Sequence, residues 1–192
     1  MAKIAVIVGS TREGRVTDKL AAWVAKEAAD KTETEILDLR DYPLPFFDEA
    51  VPPRYNPNRE LSADLKKWTD KVAEFDGYII VTPEYNRSMS GALKNALDNL
   101  GNEIADKPIA LVAHGSTGGA QAVASLRITL PGNGAVSLPN ALFFTDQVGE
   151  AIDDEGVLKA ELQEGPYSPQ ASLTGLIDSL VKYSDALKTV RA

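Results

Sequence analysis

The chain has 192 residues, 44% of them hydrophobic, with a formal net charge of −8, no cysteine and one histidine. That length suits one compact domain with a sizeable core over residues 1–192, and the acidic balance speaks against a protein that neutralises nucleic-acid phosphates or anionic lipid. Without cysteine there are no disulfides, thiol centres or cysteine-ligated iron–sulfur clusters, and His114 alone cannot assemble a zinc ligand set, so redox chemistry would need a bound organic cofactor.

Residues 3–8 form a short β-branched run that suits a strand covered on both faces. The run is too short to span a bilayer or to serve as a signal-peptide core, and the expected location is the cytoplasm. After a polar loop, residues 17–30 carry Leu20, Trp23, Val24 and Ala28 at helical spacing, and residues 34–39 read as a second strand. Residues 40–61 contain Pro43, Pro45, Pro52, Pro53 and Pro57, which rules out a helix or a central strand. Tyr42, Phe46, Phe47 and Tyr55 make this long loop a packed segment or a partner contact.

Residues 62–75 follow as an amphipathic helix with Leu61, Leu65, Trp68 and Val72 on one stripe. Residues 78–81 form a third strand, residues 82–88 a loop, and Ala92, Leu93, Ala96, Leu97 and Leu100 mark the next helix. A fourth strand spans residues 109–113 and runs into a glycine-rich loop, then a helix that Pro131 and Gly132 stop near Leu130. Residues 141–145 read as the last strand and residues 173–190 as a closing helix. The acidic stretch 146–165 has too weak a pattern to assign. Strands alternating with helices predict an α/β fold: a flavodoxin-like, doubly wound parallel sheet of five strands in the order 2-1-3-4-5, with helices on both faces.

In such a sheet ligands bind outside the carboxyl ends of the strands where the order reverses, between strands one and three. The first loop there holds Ser10, Thr11, Arg12, Arg15 and Val16 between a strand and a helix N-terminus. Free backbone N–H groups, hydroxyls and two guanidinium groups would together hold the phosphate of a mononucleotide. The plainer reading makes both arginines solvated loop residues. A Walker A loop is excluded because Arg15 replaces its lysine and Val16 its hydroxyl residue. The dinucleotide fingerprint fails because Thr11 stands at its second glycine. In the second loop Pro83, Glu84, Tyr85, Asn86 and Arg87 can present backbone groups in the plane of a heteroaromatic ring, or form a turn around a buried tyrosine. In the third, Gly115, Ser116, Thr117 and Gly118 let a flat ligand approach the backbone. His114 at the strand end is read as structural or loop-exposed ahead of proton transfer.

Taken together, Gly-Ser-Thr-Arg-x-Gly-Arg after the first strand, Thr82-Pro83-Glu84-Tyr85-Asn86 leading into residues 91–98, and the glycine loop resemble the NADPH-dependent FMN reductase family over residues 3–145. The family includes quinone, azo and chromate reductases. The resemblance implies FMN, with its phosphate on Ser10, Thr11, Arg12, Arg15 and Val16 and its ring between residues 83–87 and 115–118. It leaves Asn86 to bond the ring or fix its loop, and Glu84 to cap the next helix or pair across subunits. It further implies NADPH or NADH as donor, a small-molecule acceptor (quinone, flavin, azo compound or metal oxyanion), and a homodimer or homotetramer; a ping-pong cycle, with donor and acceptor using one pocket in turn, is the expected mechanism. The proline-rich loop and the helix after Gly91 are the candidate subunit contact. No catalytic side chain and no metal are expected, since the flavin carries the chemistry. Residues 130–134 and 153–155 depart from the family pattern and carry no substrate assignment. Arg54, Arg59 and Arg87 could each meet a 2′-phosphate or simply face water, so the choice between NADH and NADPH is not readable from the sequence. Two rivals stand beside this reading: a flavodoxin-type electron carrier, against which Arg12 and Arg15 count, and a flavin-free interaction module.

Overall fold

The alternation of side chains along a strand decides which core each residue enters. In the computed structural model, which describes residues 1–56 and 58–191, the central strand β1 (Lys3–Val8) sends Ile4, Val6 and Val8 into one core and Ala5 and Ile7 into the other. It lies between β2 (Glu33–Asp38) and β3 (Gly77–Pro83), and β4 (Pro108–His114) and β5 (Val136–Phe144) complete a five-stranded sheet. Every pairing is parallel and the order is β2-β1-β3-β4-β5, as the sequence pattern predicts.

The β1–β2 crossover helix α1 (Thr17–Ala29) and the closing helix α6 (Pro169–Arg191) lie on one face, where Leu20, Trp23, Leu173 and Ile177 pack. On the other face lie α2 (Ala63–Ala73), α3 (Gly91–Asp98) and α4 (Ala120–Thr129), which contribute Trp68, Val72, Leu93, Ala96, Val123 and Leu126. Ser62 and Ser90 cap α2 and α3 by accepting from Leu65 N and Leu93 N. No helix among the described residues is long and apolar enough to cross a membrane.

The proline-rich segment is fastened to α3. Asn95 Oδ1 accepts from Phe47 N at 2.9 Å while its Nδ2 donates to Pro45 O at 2.9 Å, a two-way match between one amide and the loop backbone. Arg59 adds a bond to Asn99 O at 2.6 Å and an ion pair with Glu49 at 3.1 Å. Pro57 lies outside the described residues.

The sequence pattern and the structure differ at three places. The last strand begins at Val136, five residues before the expected start: Val136 and Ser137 pair with Pro108 and Ile109, and the register shifts before Ala141 pairs with Leu111. Pro139 falls in that irregular, exposed part of an edge strand, and its carbonyl accepts from Arg127 Nη2 at 2.5 Å. The closing helix starts at Pro169, with Ser168 Oγ accepting from Ala171 N at 3.1 Å. The unassigned acidic stretch contains the short helix α5 (Val148–Ala151) and a bridge between Ile152 and Leu158.

At the end of the sheet away from the strand carboxyl termini, Lys107 is only 8% exposed and its Nζ donates to Ala73 O at 3.0 Å and Tyr78 Oη at 3.3 Å. Burial, helped by the Arg191 charge, lowers its pKa to about 8. Between that value and the ordinary lysine value the unfolded chain binds the extra proton, so folding stability rises with pH by up to about 3 kcal/mol from this group. Relative to the wild type, Lys107→Met is therefore expected to melt higher at pH 7 than at pH 10. A difference that does not change with pH would remove this account.

Candidate functional site

Three loops meet at the carboxyl ends of β1, β3 and β4. Gly9 makes the first close approach possible: its N–H donates to Val81 O at 2.8 Å, and a Cβ at this position would lie 2.8 Å from the same oxygen. Ser90 Oγ donates to Gly9 O at 2.6 Å, which joins the cap of α3 to the start of the first loop. Neither the Gly9 approach nor Ser90 was among the predicted site residues.

Ser10 is fully buried, and its Oγ pairs with Tyr85 Oη at 2.8 Å while accepting from Arg12 N at 3.3 Å. Its side chain therefore joins the first and second loops. Thr11 is exposed. Arg12 is exposed too, with its guanidinium 5.5 Å from the centre of the Tyr85 ring and no carboxylate partner among the described residues. Arg15 differs: its side chain is 4% exposed and is held by Asp38, Asp18 and Ser10 O. Val16 takes the N-cap position of α1 without a side-chain cap, unlike Ser62 and Ser90 at α2 and α3. The N–H groups of Thr11, Glu13, Gly14 and Val16 make no protein hydrogen bond among the described residues. Unsatisfied donors, an uncapped helix start and an unpaired arginine thus come together at one place, an arrangement that could hold an anion such as a phosphate monoester.

In the second loop Pro83 is the last residue of β3, and Glu84 N donates to His114 O at 3.0 Å. Glu84 Oε2 accepts from Gln121 N at 2.9 Å, so its carboxylate caps α4 and not α3, the helix that follows it in sequence. Tyr85 and Ser88 exchange backbone hydrogen bonds of 2.9 and 3.1 Å around Asn86 and Arg87, whose φ values are 50° and 69°. Two left-handed residues in succession make this a type I′ turn. Arginine has no natural preference for its second position, and about 1 kcal/mol of backbone strain is stored there.

The third loop turns on Gly115 and on Gly118, with φ of 66°; Gly118 N donates to Gly115 O at 2.9 Å, and Ser116 and Thr117 project between them as exposed residues. His114 is buried beneath it, with Nε2 2.9 Å from Thr17 Oγ1. Burial, with the nearby Arg12 charge, pushes its pKa down to about 4. The imidazole is thus neutral at physiological pH and serves as a packed link between α1 and β4, in line with the structural reading of this residue.

A consequence is measurable in acid. The unfolded chain takes up the His114 proton near pH 6.5 and the folded chain only near pH 4, so stability falls through that window by up to about 3 kcal/mol. His114→Gln should lose less stability than the wild type between pH 7 and pH 4.5 in thermal melts; equal losses would assign the acid limb to other groups.

Two cavities flank the loops. One of about 360 Å³ is bounded by Val16, His114, Gly115 and Ser116 on one side and by residues 145–150 on the other. The start of the stretch left unassigned from sequence therefore borders the site. The other, of about 520 Å³, lies between Thr11, Arg40 and Tyr42 and the start of α3. Of the arginines considered for a 2′-phosphate, Arg54 donates to Gly132 O at 3.3 Å and Arg59 is buried on Glu49. Arg87 stands exposed in its turn without an ion pair among the described residues. No group of three or more histidine, aspartate or glutamate side chains among the described residues is arranged to hold a metal.

Residues 2–150 match a protein-family model described as NADPH-dependent FMN reductase. The chain is 39% identical over 136 residues to the NAD(P)H-dependent FMN reductase ntnL of Nectria sp, with 68% of each protein covered. It is 40% identical over 141 residues to the NADPH azoreductase of Bacillus sp. (strain OY1-2), covering 71% of this chain and 73% of the relative. Among solved structures it superposes on FerB, a flavoenzyme NAD(P)H:(acceptor) oxidoreductase from Paracoccus denitrificans, with a TM-score of 0.77 and 26% identity over 97% of this chain and 98% of that one.

Proposed function

The chain belongs to the NADPH-dependent FMN reductase family, and we propose that, as an FMN-dependent NAD(P)H oxidoreductase of that family, it passes electrons to a small acceptor by a ping-pong cycle. The observation that carries the placement of the flavin is the unpaired Arg12 beside four free backbone N–H groups, flanked by the turn at Asn86 and the glycine loop at Gly115. In this reading Ser10, Thr11, Arg12 and Val16 shape the phosphate end. Residues 83–87 and 115–118 offer backbone groups to the ring, and Tyr85 fills the space between the two ends.

Bound FMN would supply hydride acceptance from the nicotinamide and electron delivery to the acceptor. The protein binds it, keeps one ring face accessible and provides no side-chain acid. His114, neutral and bonded to Thr17, fits a supporting role. Quinones and azo compounds are the acceptor classes that the relatives' names favour, since one relative is a 2-hydroxy-1,4-benzoquinone reductase and another an azoreductase. A homodimer or homotetramer belongs to the same proposal. Phe46 at 86% and Tyr55 at 77% exposure leave apolar surface on the proline-rich loop next to α3. The cytoplasm, where reduced nicotinamide is at hand, is the proposed location.

The test is a spectrum followed by kinetics. The purified protein, supplemented with FMN, should show flavin absorbance that bleaches with NADPH or NADH and returns with a quinone, and initial rates should give parallel double-reciprocal lines. Intersecting lines would end the ping-pong proposal. A flavoprotein that NAD(P)H does not reduce would instead support an electron carrier.

A further inference from the structure

Three consecutive carbonyls of the first loop are all held by arginine side chains. Arg15 Nη1 donates to Ser10 O, Arg40 Nε to Thr11 O at 3.4 Å, and Arg40 Nη2 to Arg12 O at 2.6 Å. Both arginines are tied to one carboxylate at the end of β2. Asp38 takes Arg15 in a two-pronged pair, with Nη1 to Oδ1 at 2.8 Å and Nη2 to Oδ2, and Asp38 Oδ1 also accepts from Arg40 N at 2.9 Å. Burial alone would raise the Asp38 pKa, but the Arg15 hydrogen bond, the Arg40 N–H and both positive charges outweigh it and hold the carboxyl below its ordinary value.

In a trans peptide the C=O and the following N–H point in opposite directions. Each arginine bond to the carbonyl of residue 10, 11 or 12 therefore also sets the direction of the N–H of residue 11, 12 or 13, which points away from the arginine that holds its peptide. Of these, Arg12 N reaches only Ser10 Oγ at 3.3 Å, and those of Thr11 and Glu13 stay free among the described residues. The two free N–H groups thus belong to peptides whose orientation is set before any ligand arrives.

We propose that Asp38, Arg15 and Arg40 form a bracket that preorganises the phosphate loop, with Arg15 and Arg40 acting as positioning residues and Arg12 as the arginine that meets the phosphate. The proposal rests on the reading of this loop as the FMN phosphate site. It places three residues around the loop, two of them outside the candidate set read from the sequence. Part of the ordering cost of binding is then met during folding, which favours affinity.

The test compares FMN with riboflavin, which lacks the phosphate, by fluorescence titration of the flavin-free protein. Arg40 is exposed, so Arg40→Ala should fold, and it is expected to lower FMN affinity about tenfold with riboflavin affinity unchanged. Asp38→Asn carries the more decisive sign. It removes a negative charge beside an anion site, which by charge alone strengthens FMN binding, whereas the bracket requires weaker binding. Melting curves on each variant identify any that fails to fold, and Arg40→Ala then stands alone. An unchanged FMN-to-riboflavin affinity ratio in Arg40→Ala, an equal fall for both flavins, or tighter FMN binding in folded Asp38→Asn would each overturn the bracket. A wild-type protein that does not prefer FMN to riboflavin would instead remove the phosphate-site reading itself.

Discussion

Arg12→Ala is expected to bind FMN about 100-fold more weakly than the wild type, with no change in melting temperature of the flavin-free protein. The magnitude follows from one or two charge-assisted hydrogen bonds to phosphate, each worth about 1.5–3 kcal/mol, reduced at the open side by solvent. The absence of a stability effect follows from the structure, since the guanidinium is exposed and rests near the Tyr85 ring without a carboxylate to leave unpaired. Arg12→Lys should recover part of the loss, because it keeps the charge but not the fork. Riboflavin binding should be insensitive to both. Full FMN affinity in Arg12→Ala would move the phosphate elsewhere and reopen the plainer view of Arg12 as a solvated loop residue. The same substitution removes a charge that depresses the His114 pKa, so the folded chain takes up that proton at a higher pH and the stability lost in acid should be smaller than in the wild type.

Gly119→Ala is expected to destabilise the protein by about 3 kcal/mol, a fall of roughly 6–12 °C in melting temperature at this chain length. Gly119 has φ of 78°, where any side chain is strained, and an added Cβ would lie 2.6 Å from Ala113 Cβ and 2.9 Å from His114 N. Those neighbours are the end of β4, so relief requires the strand end or the start of α4 to move. Either movement displaces the Gly115 loop and the Glu84 cap on Gln121 N, and flavin affinity should fall with stability. Gly132→Ala is the matched control: nothing lies within 4 Å of its added Cβ and its φ is not positive, so it should melt with the wild type. Equal melting temperatures for the two variants would show that the loop adapts freely and that Gly119 is not required by its backbone.

How much of the site was legible is best judged residue by residue. Arg12 and the glycine loop could be singled out because strand, glycine and helix follow one another locally, and the N-terminal end of a helix favours anions. Arg15 looked equivalent to Arg12 in the sequence. Its partner Asp38 lies 23 positions away on β2, and no pattern within the loop reveals that pairing. Glu84 offered two roles, and the structure gives it a helix cap on α4, reached only because β3 and β4 are neighbours. The turn at Asn86-Arg87 carries no Asn-Gly signal, so its left-handed pair was invisible until Tyr85 and Ser88 were seen to pair.

By itself the sequence indicated the strands, most of the helices, the doubly wound parallel class and the loops that meet at its switch point. These depend on hydrophobic period, on glycine and proline punctuation and on the right-handed crossover, all of which act over a few residues or one unit. Tertiary structure alone decided which of two similar arginines is free, which side chains hold the carbonyls of the first loop, and that residues 145–150 border the same cavity as Val16 and His114. The physical reason is that hydrogen-bond partners across strands are fixed by register and burial, and a side chain's chemistry is set by the partner it finds there.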